Sequence, residues 1–443
     1  MRAILLVNVL ALAAGSALPA QSALSSREQR VRAAIAASRE DQVAYLQRVV
    51  DMPSATLDLA GVRRVADVFR ASFDSLAFTT TWVPLPEAMR RAGHLVADHR
   101  GKPGRTRILL IGHLDTVVEP DGANFVRQDS MARAVGGADM KGGDVVILYA
   151  LKALQAAGAL KDLNVTAVFT GDEEAPGEPL AVTRQALVDA GHRNDVALAF
   201  EAGSRSIATV ARRGSSAWRL TASGHQAHSA GIFGGNTGYG AIYELARILD
   251  AFRTQLAGEQ YLTFNTATVV AGTDVTYDTV ANRGTAASKT NIVPQRAIAV
   301  GDIRFMTPEQ LARTRDRMRA IVAQHLPGTD AQITFADQYP AMPPTEGNGR
   351  ILAVYDSASQ ALGYGPVTAM DPALRGAGDL SFVAPFMDGL EGLGALGGGA
   401  HSPAEQVNLK ALPMQTERAA LTIVRLGSRP ADAFRRKQNT ASN

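Results

Sequence analysis

Apolar positions spaced three and four apart run through residues 27–50 and again through 60–76, and both stretches predict helices. From about residue 106 the pattern changes. Short unbroken apolar runs, "RILLIG", "NVTAVFT" and "DVALAF", alternate with helical stretches such as "GGDVVILYALKALQAAG". That alternation predicts an α/β fold with a mixed, mostly parallel sheet flanked by helices. A second texture begins near residue 214, where "SSAWRLTASG", "YLTFNTATVVAGT", "ASKTNIVPQRAIAVGDIRF" and "AQITFADQ" read as half-exposed strands around helices at about 238–256 and 308–324. This α+β pattern predicts a small separate domain inserted in the larger one. From about residue 345 the α/β texture returns, with a helical "ILAVYDSASQALG" and then "GLEGLGALGGGAHSP", read as a strand running into a glycine loop. The expected division is 27–213 and 342–443 for the two parts of the larger domain, with the insert at 214–341.

The first twenty residues stand apart. "MRAILLVNVLALAAGSALPA" places one early Arg before an apolar run and then small residues, the layout of a secretory signal peptide over residues 1–20. The expectation is an exported protein, secreted or periplasmic, with no membrane attachment after cleavage. The chain has no cysteine, which excludes disulfides, thiolate metal sites and a lipid anchor on cysteine. Net charge is only +3 in 443 residues, and no Lys/Arg run is interleaved with aromatics, so nucleic acid is not an expected partner. The length itself calls for two domains.

Ligand-type residues cluster where the α/β strands end. "RILLIG" runs into His113 and Asp115, "NVTAVFTGD" into Glu173 and Glu174, "DVALAF" into Glu201, and "LGALGGGA" into His401, while "GGADMKGG" sets Asp139 in a glycine loop before a helix. Open α/β sheets bind ligands beyond the carboxyl ends of their strands, so these residues should converge on one rim. Histidines and carboxylates without thiolates suit zinc or a similar divalent ion. The donors suffice for two ions, with Asp139 able to bridge. Asp139, Glu174, Glu201 and a bridging hydroxide would balance the four positive charges of such a pair. Glu173 is then left over as a general base. A lone His-x-Asp or Glu-Glu pair is ordinarily surface or hydrogen-bonding structure; their recurrence at successive strand ends is what points to chemistry. No G-x-G-x-x-G follows a strand with an acidic residue at the required distance, which excludes dinucleotide binding.

In order and spacing, "GHLDTV", "GGADMKGG", "TGDEE", "AFEAGS", "ARRGS", "SGHQAHSA", "TNIVP" and "GGGAHSP" resemble the co-catalytic di-zinc exopeptidase and deacylase family. That family includes bacterial glutamate carboxypeptidase, succinyl-diaminopimelate desuccinylase, acetylornithine deacetylase and aminoacylase. The resemblance covers nearly the whole mature chain and implies two zinc ions per subunit. His113, Asp139 and Glu201 would hold one, and Asp139, Glu174 and His401 the other. Asp115 would orient His113, and Glu173 would move a proton from water to the leaving nitrogen. The peptide bond after Asp139 is expected to be cis. The insert would be a ferredoxin-like dimerisation domain of a homodimer, with His228 reaching the partner's site to stabilise the oxyanion and Asn291 facing substrate; on its own, His228 reads as a surface-loop histidine. Arg213, Arg304 and Arg375 match positions where carboxypeptidase-like members hold a substrate carboxylate, a task suited to the bidentate guanidinium. The expected substrate is a small peptide, cleaved at the amide next to its C-terminal amino acid. The alternative is an N-acyl amino acid cleaved by the same site. A scaffold descendant without turnover would be expected to lose Glu173 or a ligand, and all are present.

Overall fold

The computed structural model describes residues 23–119, 124–279 and 281–436. The expected signal peptide at 1–20 lies outside them. Among the described residues no helix is long and apolar enough to cross a membrane.

The larger unit is a six-stranded mixed sheet. Its order is Thr79–Val83, His94–His99, Asn164–Thr170, Arg107–His113, Val196–Ala199 and Gly389–Glu391. The first two pairings are antiparallel and the last three parallel. Strand Arg107–His113 lies at its centre and explains its own apolar run. Ile108 and Leu110 enter the core shared with the helices Ser26–Ala37, Gly142–Ala156 and Leu412–Gly427, while Leu109 and Ile111 enter the opposite core with Leu187 and Val383. Successive side chains of a strand point to opposite faces, so a strand covered on both sides must be apolar throughout.

The first amphipathic stretch is two helices rather than one, Ser26–Ala37 and Arg39–Val50, broken at Ser38. Ser25 and Glu28 form a capping box that starts the first, and the second has no such side-chain cap. The glycine-rich C-terminal stretch opens as the expected strand, Gly389–Glu391, and then leaves it, and on the way to His401 Gly397–Gly398 pairs with Gln406–Val407 in a separate small sheet. A run so rich in glycine carries too few side chains to specify a buried strand.

Residues 214–337 build a second sheet with its own core around Trp218, Leu220, Ile248, Phe252 and Met318. Strand Gly214–Gly224, helix Gly240–Leu256, strands Thr263–Gly272 and Arg296–Phe305, helix Pro308–Val322 and strand Thr329–Asp337 follow in a βαββαβ sequence. The antiparallel spatial order, second-third-first-fourth, is ferredoxin-like. Two chain crossings join the units and run side by side, with reciprocal backbone bonds of 2.9 Å between Arg212 and Met342.

Candidate dinuclear metal centre

Three adjacent parallel strands deliver the first residues of the site. His113 closes its strand, Glu173 and Glu174 follow Asn164–Thr170, and Glu201 follows Val196–Ala199. Glu201 is fixed by close backbone packing: a Cβ on either Gly143 or Gly394 would collide with the Phe200 carbonyl oxygen. Asp139 arrives from the loop before helix Gly142–Ala156, with the peptide bond to Met140 cis, and His401 from the hairpin above.

These donors meet in two groups that share one residue. His113, Asp139 and Glu201 form one, and Asp139, Glu174 and His401 the other, with ligand atoms in each lying within 4.8 Å of one another. Asp139 faces both histidines, Oδ1 at 3.3 Å from His113 Nε2 and Oδ2 at 3.2 Å from His401 Nε2. Glu201 Oε1 lies 3.7 Å from His113 Nε2, and Glu174 Oε2 lies 3.3 Å from His401 Nε2. Glu173 completes a further group with His113 and Glu174. His113 is 1% exposed and His401 57%, so the centre is sealed on the sheet side and opens past His401.

The supporting contacts are equally specific. His113 Nδ1 lies 3.0 Å from the Asp115 backbone oxygen, an arrangement that leaves Nε2 free to bind an ion. The Asp115 carboxylate is 3.5 Å from the same nitrogen, but its hydrogen bonds run elsewhere: to Thr56 Oγ1 (2.6 Å) and to the backbone N–H groups of Glu173 (3.0 Å) and Glu174 (3.1 Å). Asp115 therefore holds the Glu173–Glu174 turn at least as directly as it orients the imidazole. Glu405 does the same for Asp139, accepting from the N–H groups of Gly136 (2.8 Å), Ala138 (2.8 Å) and Asp139 (2.9 Å). Sequence reasoning missed Thr56 and Glu405. Glu405 is 266 residues from Asp139 in the chain, and no spacing announces the pair.

Electrostatics match a site built for cations. Burial, and then the charge of Asp139, pushes Glu201 up to about 8 and Glu174 up to about 7. Burial followed by the charge of Glu201 likewise raises Glu173. The hydrogen bond to Asp139 lifts His401 to about 9. Burial opposes a charge on Asp139, yet its bonds to His113 and His401 hold it below the usual carboxylate range. The raised carboxylates reflect how closely these acids crowd one another in a buried site. Divalent cations would compensate that negative charge, and the N/O donor set without thiolate suits zinc.

The predicted arginines are placed less tightly. Arg375 donates to the Ala202 carbonyl, next to Glu201. Arg213 donates to Ala373 O (3.3 Å) and Thr263 Oγ1 (3.1 Å). Arg304, paired across strands with Thr263, is engaged by Asp302 at 2.7 Å. Arg212, not singled out from the sequence, is buried against Glu391. His228 and Asn291 sit together on the insert, where His228 bridges to Ile292. The Ser229 N–H donates to Asn291 O (2.9 Å), and exposed His228 accepts from the Ala230 N–H through Nδ1 (3.1 Å).

Residues 109–425 match the model of peptidase family M20/M25/M40. The chain belongs to this family. It is 26% identical over 436 residues to carboxypeptidase G2 of Pseudomonas sp. (strain RS-16), covering 93% of this chain and 96% of that protein. It is 25% identical over 392 residues to the succinyl-diaminopimelate desuccinylase of Gluconacetobacter diazotrophicus, covering 85% and 95%. Among solved structures, Bacillus cereus aminopeptidase PepT superposes with a TM-score of 0.72 at 18% identity, over 88% of this chain and 98% of that one. The Bacillus subtilis YXEP protein, described as a dinuclear metal-binding M20 peptidase, superposes with a TM-score of 0.63 at 15% identity, over 89% and 99%. This M20 member is thus a metallohydrolase acting on peptide or amide bonds, with a candidate ligand set at its strand ends.

Proposed function

We propose that the chain is an exported, zinc-dependent, homodimeric exopeptidase that hydrolyses the amide next to a C-terminal amino acid, in the manner of a glutamate carboxypeptidase. The observation that carries this reading is the pair of three-residue groups sharing Asp139, with a third carboxylate, Glu173, beside them. His113, Asp139 and Glu201 would hold one zinc, and Asp139, Glu174 and His401 the other. Zinc bound there would polarise the scissile carbonyl and lower the pKa of water. Glu173, poised beside His113 and Glu174, takes the proton of the attacking water and delivers it to the leaving nitrogen. Arg375, which donates to the Ala202 carbonyl beside Glu201, and Arg213, which donates to the Ala373 carbonyl, would receive the substrate's free carboxylate, and Arg304 would join them from the insert.

Several features support the dimer. The insert carries exposed Phe233, Ile242 and Tyr243, and the edge strand Thr263–Gly272. His228 and Asn291, exposed on the insert, would then act on the partner's substrate and its developing oxyanion. Export rests on the N-terminal sequence pattern alone.

The similarity to a desuccinylase favours one rival, an N-acyl amino acid deacylase using the same groups. A panel of N-blocked dipeptides, folate-type glutamates, and N-acetyl and N-succinyl amino acids, assayed with and without zinc, tests both. Zinc-dependent release of a C-terminal residue supports the exopeptidase. Turnover confined to simple acyl amino acids replaces it with the deacylase, and silence of the zinc-loaded protein refutes both.

A further inference from the structure

The peptide unit between Glu173 and Glu174 is gripped at both ends by residues distant in the chain. Its N–H donates to Asp115 Oδ2 at 3.1 Å, and its carbonyl accepts from the hydroxyl of Tyr339 at 2.9 Å. Tyr339 belongs to neither catalytic strand nor insert sheet. It lies on the crossing that returns from the insert, two residues past strand Thr329–Asp337, where its carbonyl accepts from the Ser215 N–H (2.9 Å) and its N–H donates to Ser215 Oγ (3.3 Å).

The phenol is oriented from behind. Arg184, 1% exposed, donates from Nη2 to the phenol oxygen at 3.1 Å, which leaves the phenol proton to point at the Glu173 carbonyl. Arg184 is itself locked between Asp172 (Nη1 to Oδ1, 2.6 Å) and Asp379 (Nε to Oδ1, 2.8 Å). Asp379 is tied to the strand end by Thr170 Oγ1 at 2.6 Å, and Asp172 to the turn by the Gly177 N–H at 2.9 Å. The tyrosine ring packs edge-on against Phe382 at 5.0 Å. A buried cation with two anions is costly to assemble and costly to break, so its geometry is rigid. The rigidity is spent on one hydroxyl and, through it, on one carbonyl.

We propose that Tyr339 is a positioning residue for Glu173. It fixes the peptide plane from which the base projects, and does so from the junction of the two units. The inference rests on the reading of Glu173 as base. No hydrogen bond of Tyr339 or Arg184 reaches a ligand side chain among the described residues. Positioning within fractions of an ångström matters for proton transfer, and a lost hydrogen bond combined with a shifted base lowers turnover by roughly five- to a hundredfold.

Tyr339→Phe removes the hydroxyl and keeps the ring on Phe382. The zinc-loaded full-length mature variant is compared with its parent in kcat, KM, zinc content and hydrogen–deuterium exchange over residues 171–177. The expected result is a kcat lowered at least fivefold, KM within twofold, two zinc ions retained and faster exchange in that segment. A kcat loss below fivefold overturns the proposal even if exchange quickens, since the bond is then only a fold contact. A rise in KM alone, or loss of zinc, also overturns it, by assigning the residue to substrate or to Glu174. Failure of the underlying reading looks different: Glu173→Ala would keep its activity, or the zinc-loaded parent would be silent on every amide.

Discussion

Asp139 presents one oxygen to each histidine of the centre, Oδ1 to His113 at 3.3 Å and Oδ2 to His401 at 3.2 Å. A carboxylate so divided joins the two donor groups into one unit. Each of the remaining candidate ligands belongs to a single group with Asp139, so Asp139 is the residue on which two ions bound there would both depend.

Replacing Asp139 with Ala should therefore cost at least one zinc per subunit. Metal analysis after dialysis checks this, and two ions held as tightly as in the parent would falsify the bridge.

Glu173→Ala should leave the metal content at the parent value while lowering kcat by about 10²- to 10⁴-fold, the range for a positioned proton-transfer group. Steady-state kinetics on zinc-loaded protein decides it. Substantial residual turnover would assign the base elsewhere.

Glu405 offers a test of the loop that carries Asp139. Glu405→Ala abandons three backbone N–H groups. Zinc affinity should fall by about ten- to a hundredfold, as for other residues that orient ligands from behind. Competition with a chromogenic chelator measures it, and unchanged affinity would show that the loop holds itself.

The metal-free protein should lose stability as pH rises from about 5 to about 9. Glu174 and Glu201 are raised, to about 7 and about 8, so the folded state binds protons that the unfolded state has released above about 4.5. His401, raised to about 9, adds stability below about 6.5 that is lost through its folded value. All three act with the same sign. Zinc should reverse the trend, because ions and protons compete for the same atoms. Melting curves with and without chelator across that range check both halves; a metal-free protein that gains stability toward pH 9 would contradict the assignment.

If His228 acts across a dimer, mixing Glu173→Ala with His228→Ala protein should restore activity through heterodimers carrying one intact site. No recovery after demonstrated subunit exchange would confine each site to one chain.

Local chemistry carried much of the site. His113, Asp139, Glu174, Glu201 and His401 could be read because each is a polar residue ending an apolar run or seated in a glycine loop, where burial would exclude it without a purpose. Strand Arg107–His113 was legible for the same reason, being apolar on both faces. The segment before His401 was legible as a strand running into a glycine loop, but its pairing with Gln406–Val407 was not, because glycine leaves no side-chain pattern to follow.

Alternation, helix periodicity and the recurrence of donors at strand ends were properties of the sequence by itself, since each depends on neighbours a few residues apart. The tertiary structure alone decided which oxygen of Asp139 meets which histidine, that the Asp115 carboxylate turns to the Glu173–Glu174 backbone, and that Glu405 and Tyr339 arrive from 266 and 166 residues away. Such contacts are fixed by how strands and crossings pack in space, and hydrogen-bond geometry at that range leaves no periodic trace along the chain.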